Sequence, residues 1–181
     1  MESIVKPILI ADYDPEWPAL FARVCSFIEP ALADVTRRIE HVGSTAVPGL
    51  AAKPIIDIDV IVPSSKDIPV AIGRLQSLGY AHEGDLGVAG REAFRAPAAM
   101  PGHHLYLCAQ DSAALANHLA VRDALRADPA LAQEYGRLKR RLAREVGSDI
   151  ARYVEGKTAF LRSILRASGL RENPRGTISA P

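Results

Sequence analysis

The sequence predicts an α+β protein, with a mixed sheet of about five strands in its first two-thirds and three helices after it. Three observations lead there. Residues 54–62, PIIDIDVIV, are β-branched apart from Pro54 and two aspartates, the composition of a strand buried on both faces. Residues 79–109 break into short runs bounded by glycine and proline, as strands joined by turns do. From Asp111 onward, apolar residues recur only at helical spacing.

In chain order, residues 8–11 (ILIA) read as a short strand. DYDPEW then signals a helix start, with Asp14 as N-cap, Pro15 at the first helical position and Glu16 in the first turn. Leu20, Phe21, Val24, Phe27 and Ile28 carry the apolar stripe of that helix to about Ala33. TRRIEHV (36–42) is a strand leading into a turn at Gly43, and residues 54–62 form an interior strand that stops at Pro63. Lys66 to Leu78 is helical, ended by Gly79. YAHEG (80–84) and GVAGREAFRAP (87–97) are strands or the arms of an antiparallel hairpin, and HHLYLCA (103–109) is a further strand of alternating character.

Asp111 or Ser112 caps the first of the closing helices. Pro129 sits at an N1-type position of the second, whose stripe is Leu131, Tyr135, Leu138, Leu142 and Val146. The third begins at Ser148 and carries Ile150, Val154, Leu161, Ile164 and Leu165. These elements make one domain over residues 1–168, and residues 169–181 are expected to be a flexible tail.

The chain has 181 residues, enough for one such domain and few extras. No apolar run approaches the roughly 20 residues that span a bilayer. The N-terminus lacks the basic region and long apolar stretch of a signal peptide. A cytoplasmic location with no membrane partner is therefore expected. Cys25 and Cys108 have no metal-ligand spacing and read as buried thiols in a reducing compartment. The formal net charge of +1 hides an asymmetry: residues 122–171 hold 12 Lys/Arg against 6 Asp/Glu, and the rest hold 10 against 15. A basic helical part beside an acidic part suits an anionic, metal-bridged ligand. Arginine-rich helix faces in water account for the same numbers.

HVGSTAVPGLAAKPIIDIDVIV (41–62) carries the chemistry. Gly43 and Ser44 follow directly on a strand, where glycine permits close backbone approach to an anion and Ser44 and Thr45 add hydroxyl donors. Asp57 and Asp59 stand two apart in a strand, so both carboxylates project from one face. Two like charges so placed repel unless a cation lies between them, and Mg²⁺ with phosphate oxygens answers that need. A tight turn followed by a core strand, its acids paired with Arg or Lys, is the competing reading.

A Gly-Ser turn after a strand, a dozen residues and then Asp-Ile-Asp resembles the nucleotidyltransferase superfamily. IEHVGSTAVPGLAAKPIIDIDVIV, HHLYL, RDALRADPALAQEYGRLKRRLA and YVEGKTAFL together resemble the GrpB family over residues 7–167. Its members are grouped with the nucleotidyltransferases and also occur fused to dephospho-CoA kinase.

The resemblance implies a mixed sheet of the nucleotidyltransferase type with helices packed on it. It implies phosphate held by Gly43 and Ser44, Mg²⁺ held by Asp57 and Asp59, and in-line displacement of pyrophosphate by an acceptor hydroxyl. The partner would be a nucleoside triphosphate or another phosphorylated small molecule.

The superfamily's third carboxylate has no counterpart in HHLYLCA. Similar proteins show His-Leu-His where this chain has His104-Leu105-Tyr106. His104 is the candidate ligand or general base in its place, with Asp123 the alternative acid.

Several cations are candidates for the anion. Lys53 precedes the aspartate strand. Arg91 and Arg95 lie four apart in one strand and would share a face. Arg122, Lys139 and Lys157 lie on the C-terminal helices, with Tyr153 one turn before Lys157; packed across the sheet, Arg122 and Lys157 would line the cleft. Glu40 and His41 would orient the turn. Each of these also reads as a surface charge or strand-end pair. No aromatic-basic interleaving or reader motif is present, so nucleic acid is not an expected partner. Transfer of a nucleotidyl group and binding of a nucleotide or phosphometabolite without catalysis are the two leading readings; a related phosphoryl-transfer or hydrolytic reaction with His104 as base is the third.

Overall fold

Residues 54–62 do supply the strand their composition predicts. In the computed structural model, which describes residues 7–170, β2 (Ile56–Val62) is buried along its whole length. It joins β1 (Arg38–Val42), β3 (Ala81–Gly84), β4 (Glu92–Arg95) and β5 (His103–Ala109) in one sheet of order β1-β2-β5-β4-β3. β2 and β5 run parallel and the other three pairings are antiparallel, so the sheet is mixed. The helices are α1 (Trp17–Leu32), α2 (Ile68–Ser77), α3 (Ala113–Ala127), α4 (Pro129–Val146) and α5 (Ile150–Ala167).

The period of two along β2 and β5 sorts the sheet into two faces. Val60 and Val62 of β2 and Leu105 and Leu107 of β5 pack with Ile28 and Leu32 of α1 and Ala71 and Leu75 of α2. Ile56 and Ile58 extend this core to Trp17 and Val24. The intervening residues point the other way. Ile61 and Cys108 meet Leu115 of α3 there, and Asp57 and Asp59 share that face. The acids therefore sit in a strand whose other face is core. α3, α4 and α5 close over the acidic face through a second core of Leu125, Tyr135, Leu161 and Leu165, which also takes in Val47 and Leu50 from the segment after β1.

Local capping explains the helix starts. The Asp128 carboxylate accepts from the backbone N–H of Ala130 and Leu131 at 2.9 and 3.0 Å, with Pro129 next to it. The Asp149 carboxylate accepts from Arg152 N–H at 3.0 Å, and Ser112 caps α3. α4 and α5 cross so closely at Gly156 that an added Cβ would lie 2.5 Å from Leu142 Cδ2.

Several boundaries differ from expectation; α5, for one, starts at Ile150 behind an Asp149 cap rather than at Ser148. Residues 8–11 are not a strand; only Ala11 bridges, to Ala52, because a single pair of backbone bonds links this segment to its neighbour. α1 starts at Trp17, since Asp14 uses its carboxylate on Glu16 N–H in the preceding turn. At the end of α5, Gly169, at φ 71°, turns the chain so that Leu170 N–H bonds Leu165 O at 3.0 Å and its side chain packs on the second core. Residues 171–181 of the expected tail lie outside the described residues.

Candidate functional site

Strand register brings the sequence candidates together. Asp57 lies opposite His104 and Asp59 opposite Tyr106 across the parallel β2–β5 pair, while Val42 and Glu40 of β1 oppose the same two aspartates. After β1, Gly43 takes φ 72°, which favours glycine, and opens a single 3-10 turn, Ser44–Ala46. This turn, the start of β2 and the α4–α5 hairpin enclose a cavity of about 240 Å³. Ser44, Thr45, Lys53, Asp57, His104, Lys139, Tyr153 and Lys157 line it, with Ile55, Ile150 and Val154.

The charge in this cavity is mostly positive. Lys139 is 2% exposed, donates from Nζ to Ser44 Oγ at 2.7 Å and stands 4.5 Å from the Tyr135 ring centroid. Burial, with the nearby Lys157 ammonium, holds it well below the usual lysine range. Lys157 is 3% exposed and lies over the Tyr153 ring at 4.7 Å. Burial pushes it down to about 8; Asp57 opposes that shift and Lys53 adds to it. An anion in the cavity would restore the charge that burial disfavours on both lysines.

Asp57 and His104 form the acidic side. His104 Nδ1 lies 2.9 Å from Asp57 Oδ1. An ionised carboxylate only accepts, so Nδ1 carries the proton and Nε2 is the basic nitrogen. The His104 side chain is 46% exposed, enough to meet a ligand, whereas Asp57 is only 6% exposed. Thr45 lines the cavity but its hydroxyl is engaged internally, 3.0 Å from His41 Nε2 and 3.4 Å from Ile55 O. His41 stacks on Phe21 and burial lowers it to about 4, so it is neutral and fixes the turn from behind.

Asp59 is elsewhere. It is fully buried, and both its oxygens approach His118 Nδ1 of α3, at 2.8 and 3.1 Å. His118 Nε2 is buried and, among the described residues, has no hydrogen-bond partner. Among the described residues no three His, Cys, Asp or Glu side chains converge as a metal cluster. The donors that reach the cavity fit one Mg²⁺ held by Asp57 together with phosphate oxygens, the way that ion commonly binds. They do not fit an ion shared by Asp57 and Asp59.

The cations expected near the ligand are not all there. Lys53 and Lys157 line the cavity. Arg91 and Arg95 do not act together: Arg91, which stands just before β4, is buried over the Tyr106 ring, 4.2 Å from its centroid. Arg95 is exposed and pairs with Glu83 at 3.5 Å. Arg122 does not line the cavity either. It donates to Glu40 at 2.6 Å, to Asp123 at 2.8 Å and to His41 O at 3.1 Å, so Asp123 is its partner at the helix surface.

One buried group, His118, carries no role in the sequence reading, and Lys139 is there only a candidate cation whose burial is left open. Lys139 falls one turn after Tyr135 on the apolar stripe of α4, and His118 one turn after Leu115 on that of α3. A lysine or histidine on a buried stripe is the signal that marks each.

With this geometry in hand, comparison with known proteins supplies the family. Residues 7–167 match the family model described as GrpB protein. UPF0157 protein YqkA of Bacillus subtilis is 32% identical over 158 residues, 87% of this chain; the chain spans about half of that protein's length (46%). A dephospho-CoA kinase of Mycolicibacterium paratuberculosis is 38% identical over 77 residues, 41% of this chain and 19% of the kinase. The crystal structure of GrpB from Enterococcus faecalis superposes with a TM-score of 0.79 at 34% identity, covering 88% of this chain and 96% of that one. Terminal uridylyl transferase 4 from Trypanosoma brucei, solved with bound dUTP, superposes with a TM-score of 0.54 at 14% identity, covering 93% and 59%. That second match shows a shared nucleotidyltransferase-type fold. The chain belongs to the GrpB family.

Proposed function

We propose that the protein binds the polyphosphate of a nucleoside triphosphate in the cavity between the Gly-Ser turn and the α4–α5 hairpin, and transfers the nucleotidyl group to an acceptor hydroxyl. The observation that carries this reading is Lys139 donating to Ser44 beside Lys157 and Asp57, in one cavity. At about 240 Å³ the space is below the roughly 300–1,000 Å³ of pockets that engulf whole ligands. It is sized for the phosphates, with the nucleoside at the mouth.

The residues divide the work by their chemistry. Lys53, Lys139 and Lys157 neutralise phosphate oxygens and hold them in line. Ser44 donates its hydroxyl to the phosphate once Lys139 turns to the ligand. Asp57 keeps one oxygen on His104 and would hold one Mg²⁺ with its carboxylate; such an ion would neutralise charge and orient the phosphates. His104 Nε2 takes the proton of the acceptor hydroxyl, the task of the third carboxylate in the superfamily. The acceptor oxygen bonds to the α-phosphorus as its bond to the pyrophosphate oxygen breaks.

A second reading, binding of a nucleotide or phosphometabolite without transfer, draws on the single carboxylate that reaches the cavity. One experiment separates the two. Protein is incubated with each α-labelled NTP, Mg²⁺ and a cell extract supplying acceptors, and pyrophosphate release is followed. Release that disappears in Asp57→Asn and His104→Ala supports transfer. Saturable binding of a nucleotide that is recovered unchanged supports the binding module.

A further inference from the structure

His118, Arg122 and Arg126 stand four residues apart on α3, hence along one face of that helix. Each grips a different part of the site. His118 Nδ1 donates to the Asp59 carboxylate on β2. Arg122 Nη1 donates to the Glu40 carboxylate and to His41 O at the end of β1. Arg126 Nε donates to Ala46 O, the last residue of the Gly-Ser turn, at 2.9 Å. The row thus runs from the aspartate strand to the phosphate turn, and none of its three members lines the cavity.

We infer that α3 is a brace that positions the Gly-Ser turn, and that Asp59 is the anchor of this brace on the sheet rather than a ligand for the cation held by Asp57. Asp59 has no exposed surface and both its oxygens face His118, so a cation would have to break a buried pair to reach it. The turn's backbone bonds, Ala46 N–H to Gly43 O and Val47 N–H to Ser44 O, are both at 3.2 Å; Lys139 and His41 tie its side chains at Ser44 and Thr45, and the brace adds the bond to the carbonyl of Ala46. Arg126 takes the Ala46 carbonyl at the turn's far end and Arg122 the His41 carbonyl, in β1 ahead of the turn. Arg122 and Arg126 are therefore positioning residues that act on phosphate through Ser44. This inference rests on the turn being the phosphate site.

The test uses the full chain in two arms. In the first, amide hydrogen exchange at Ala46 and Val47 is measured without ligand for the wild type, Arg126→Gln, Arg126→Lys and, as a control on α4, Arg137→Gln. The brace predicts about tenfold faster exchange in Arg126→Gln, wild-type exchange in Arg126→Lys, which still donates to Ala46 O, and no change in Arg137→Gln. Unchanged protection in Arg126→Gln overturns it, as does failure of lysine to rescue. In the second arm, Mn²⁺ uptake is titrated by electron paramagnetic resonance with ATP present. Asp59→Asn keeps an acceptor for His118 and is expected to bind Mn²⁺ within about threefold of wild type, while Asp57→Asn loses uptake. Loss of Mn²⁺ in a folded Asp59→Asn overturns the anchor role. If the wild type takes up neither ATP nor Mn²⁺, the phosphate-site reading falls, and the exchange arm alone then decides the brace.

Discussion

Lys139, at the middle of α4, donates to Ser44 Oγ across 2.7 Å and so joins the C-terminal helices to the turn that follows β1. The bond spans 95 residues of sequence and sets a buried ammonium against a hydroxyl, with no carboxylate as its hydrogen-bond partner. Such a charge is costly to the unliganded fold and useful to an anionic ligand.

Lys139→Met is therefore expected to raise stability by about 1 kcal/mol or more, since it replaces a buried charge by an apolar chain of similar length. The same change should weaken polyphosphate binding by at least tenfold, about 1.4 kcal/mol. Denaturant unfolding and calorimetric titration check the two halves. A variant that loses stability would show that the ammonium is already compensated in the unliganded protein.

Lys157 gives the pH dependence. Its folded value of about 8 lies below its ordinary value of 10.5. Between these pH values the unfolded chain binds more protons than the folded one, so this group's contribution to stability rises as pH rises from about 8 to 10.5. Ligand binding runs the other way, because the ammonium is lost as pH passes 8. Triphosphate affinity is expected to drop of order tenfold between pH 7 and 9, the worth of one charge-assisted contact. Lys157→Met should flatten that profile, and titration calorimetry across the range reads it.

His104 separates binding from turnover. His104→Ala leaves the lysines and Ser44 in place, so nucleotide affinity should stay within about threefold. Loss of a general base costs roughly 10²- to 10⁴-fold in rate. Single-turnover assays with the donor identified by binding measure this, and an unchanged rate would remove His104 from the chemistry.

The architecture was readable because its signals are local. An apolar run such as residues 55–62 fixes an interior strand by composition, and Asp128-Pro129 fixes a helix start by capping chemistry. The shared face of Asp57 and Asp59 also follows from period two. What that face meets does not. Whether Asp59 looks into the cavity or into α3 depends on where His118 lands, a contact between residues 59 apart. Arg122 read as a ligand group for the same reason: its partners, Glu40 and His41 O, are supplied by β1, over 80 residues earlier. Residues 8–11 had strand composition but only one bridging pair to hold them, and composition does not reveal the number of partners.

The buried Asp59–His118 pair should show its weight in stability. His118→Ala leaves Asp59 as an unpaired carboxylate with no exposure, and is expected to cost about 3–5 kcal/mol. At roughly 2–4 °C per kcal/mol for a chain of this size, the melting midpoint should fall by about 10 °C. Differential scanning calorimetry reads it; a loss below about 1 kcal/mol would mean that the pair contributes little.

We propose that the cavity beside Ser44 holds polyphosphate through Lys139 and Lys157. The most direct measurement is calorimetric titration of ATP, GTP, CTP, UTP and inorganic triphosphate into the wild type, Lys139→Met and Lys157→Met, with and without Mg²⁺. Saturable binding of at least one of these ligands at one site per chain is expected, strengthened by Mg²⁺ and weakened at least tenfold in each lysine variant. Binding to the folded variants with wild-type affinity, or no binding of any triphosphate to the wild type, would contradict it.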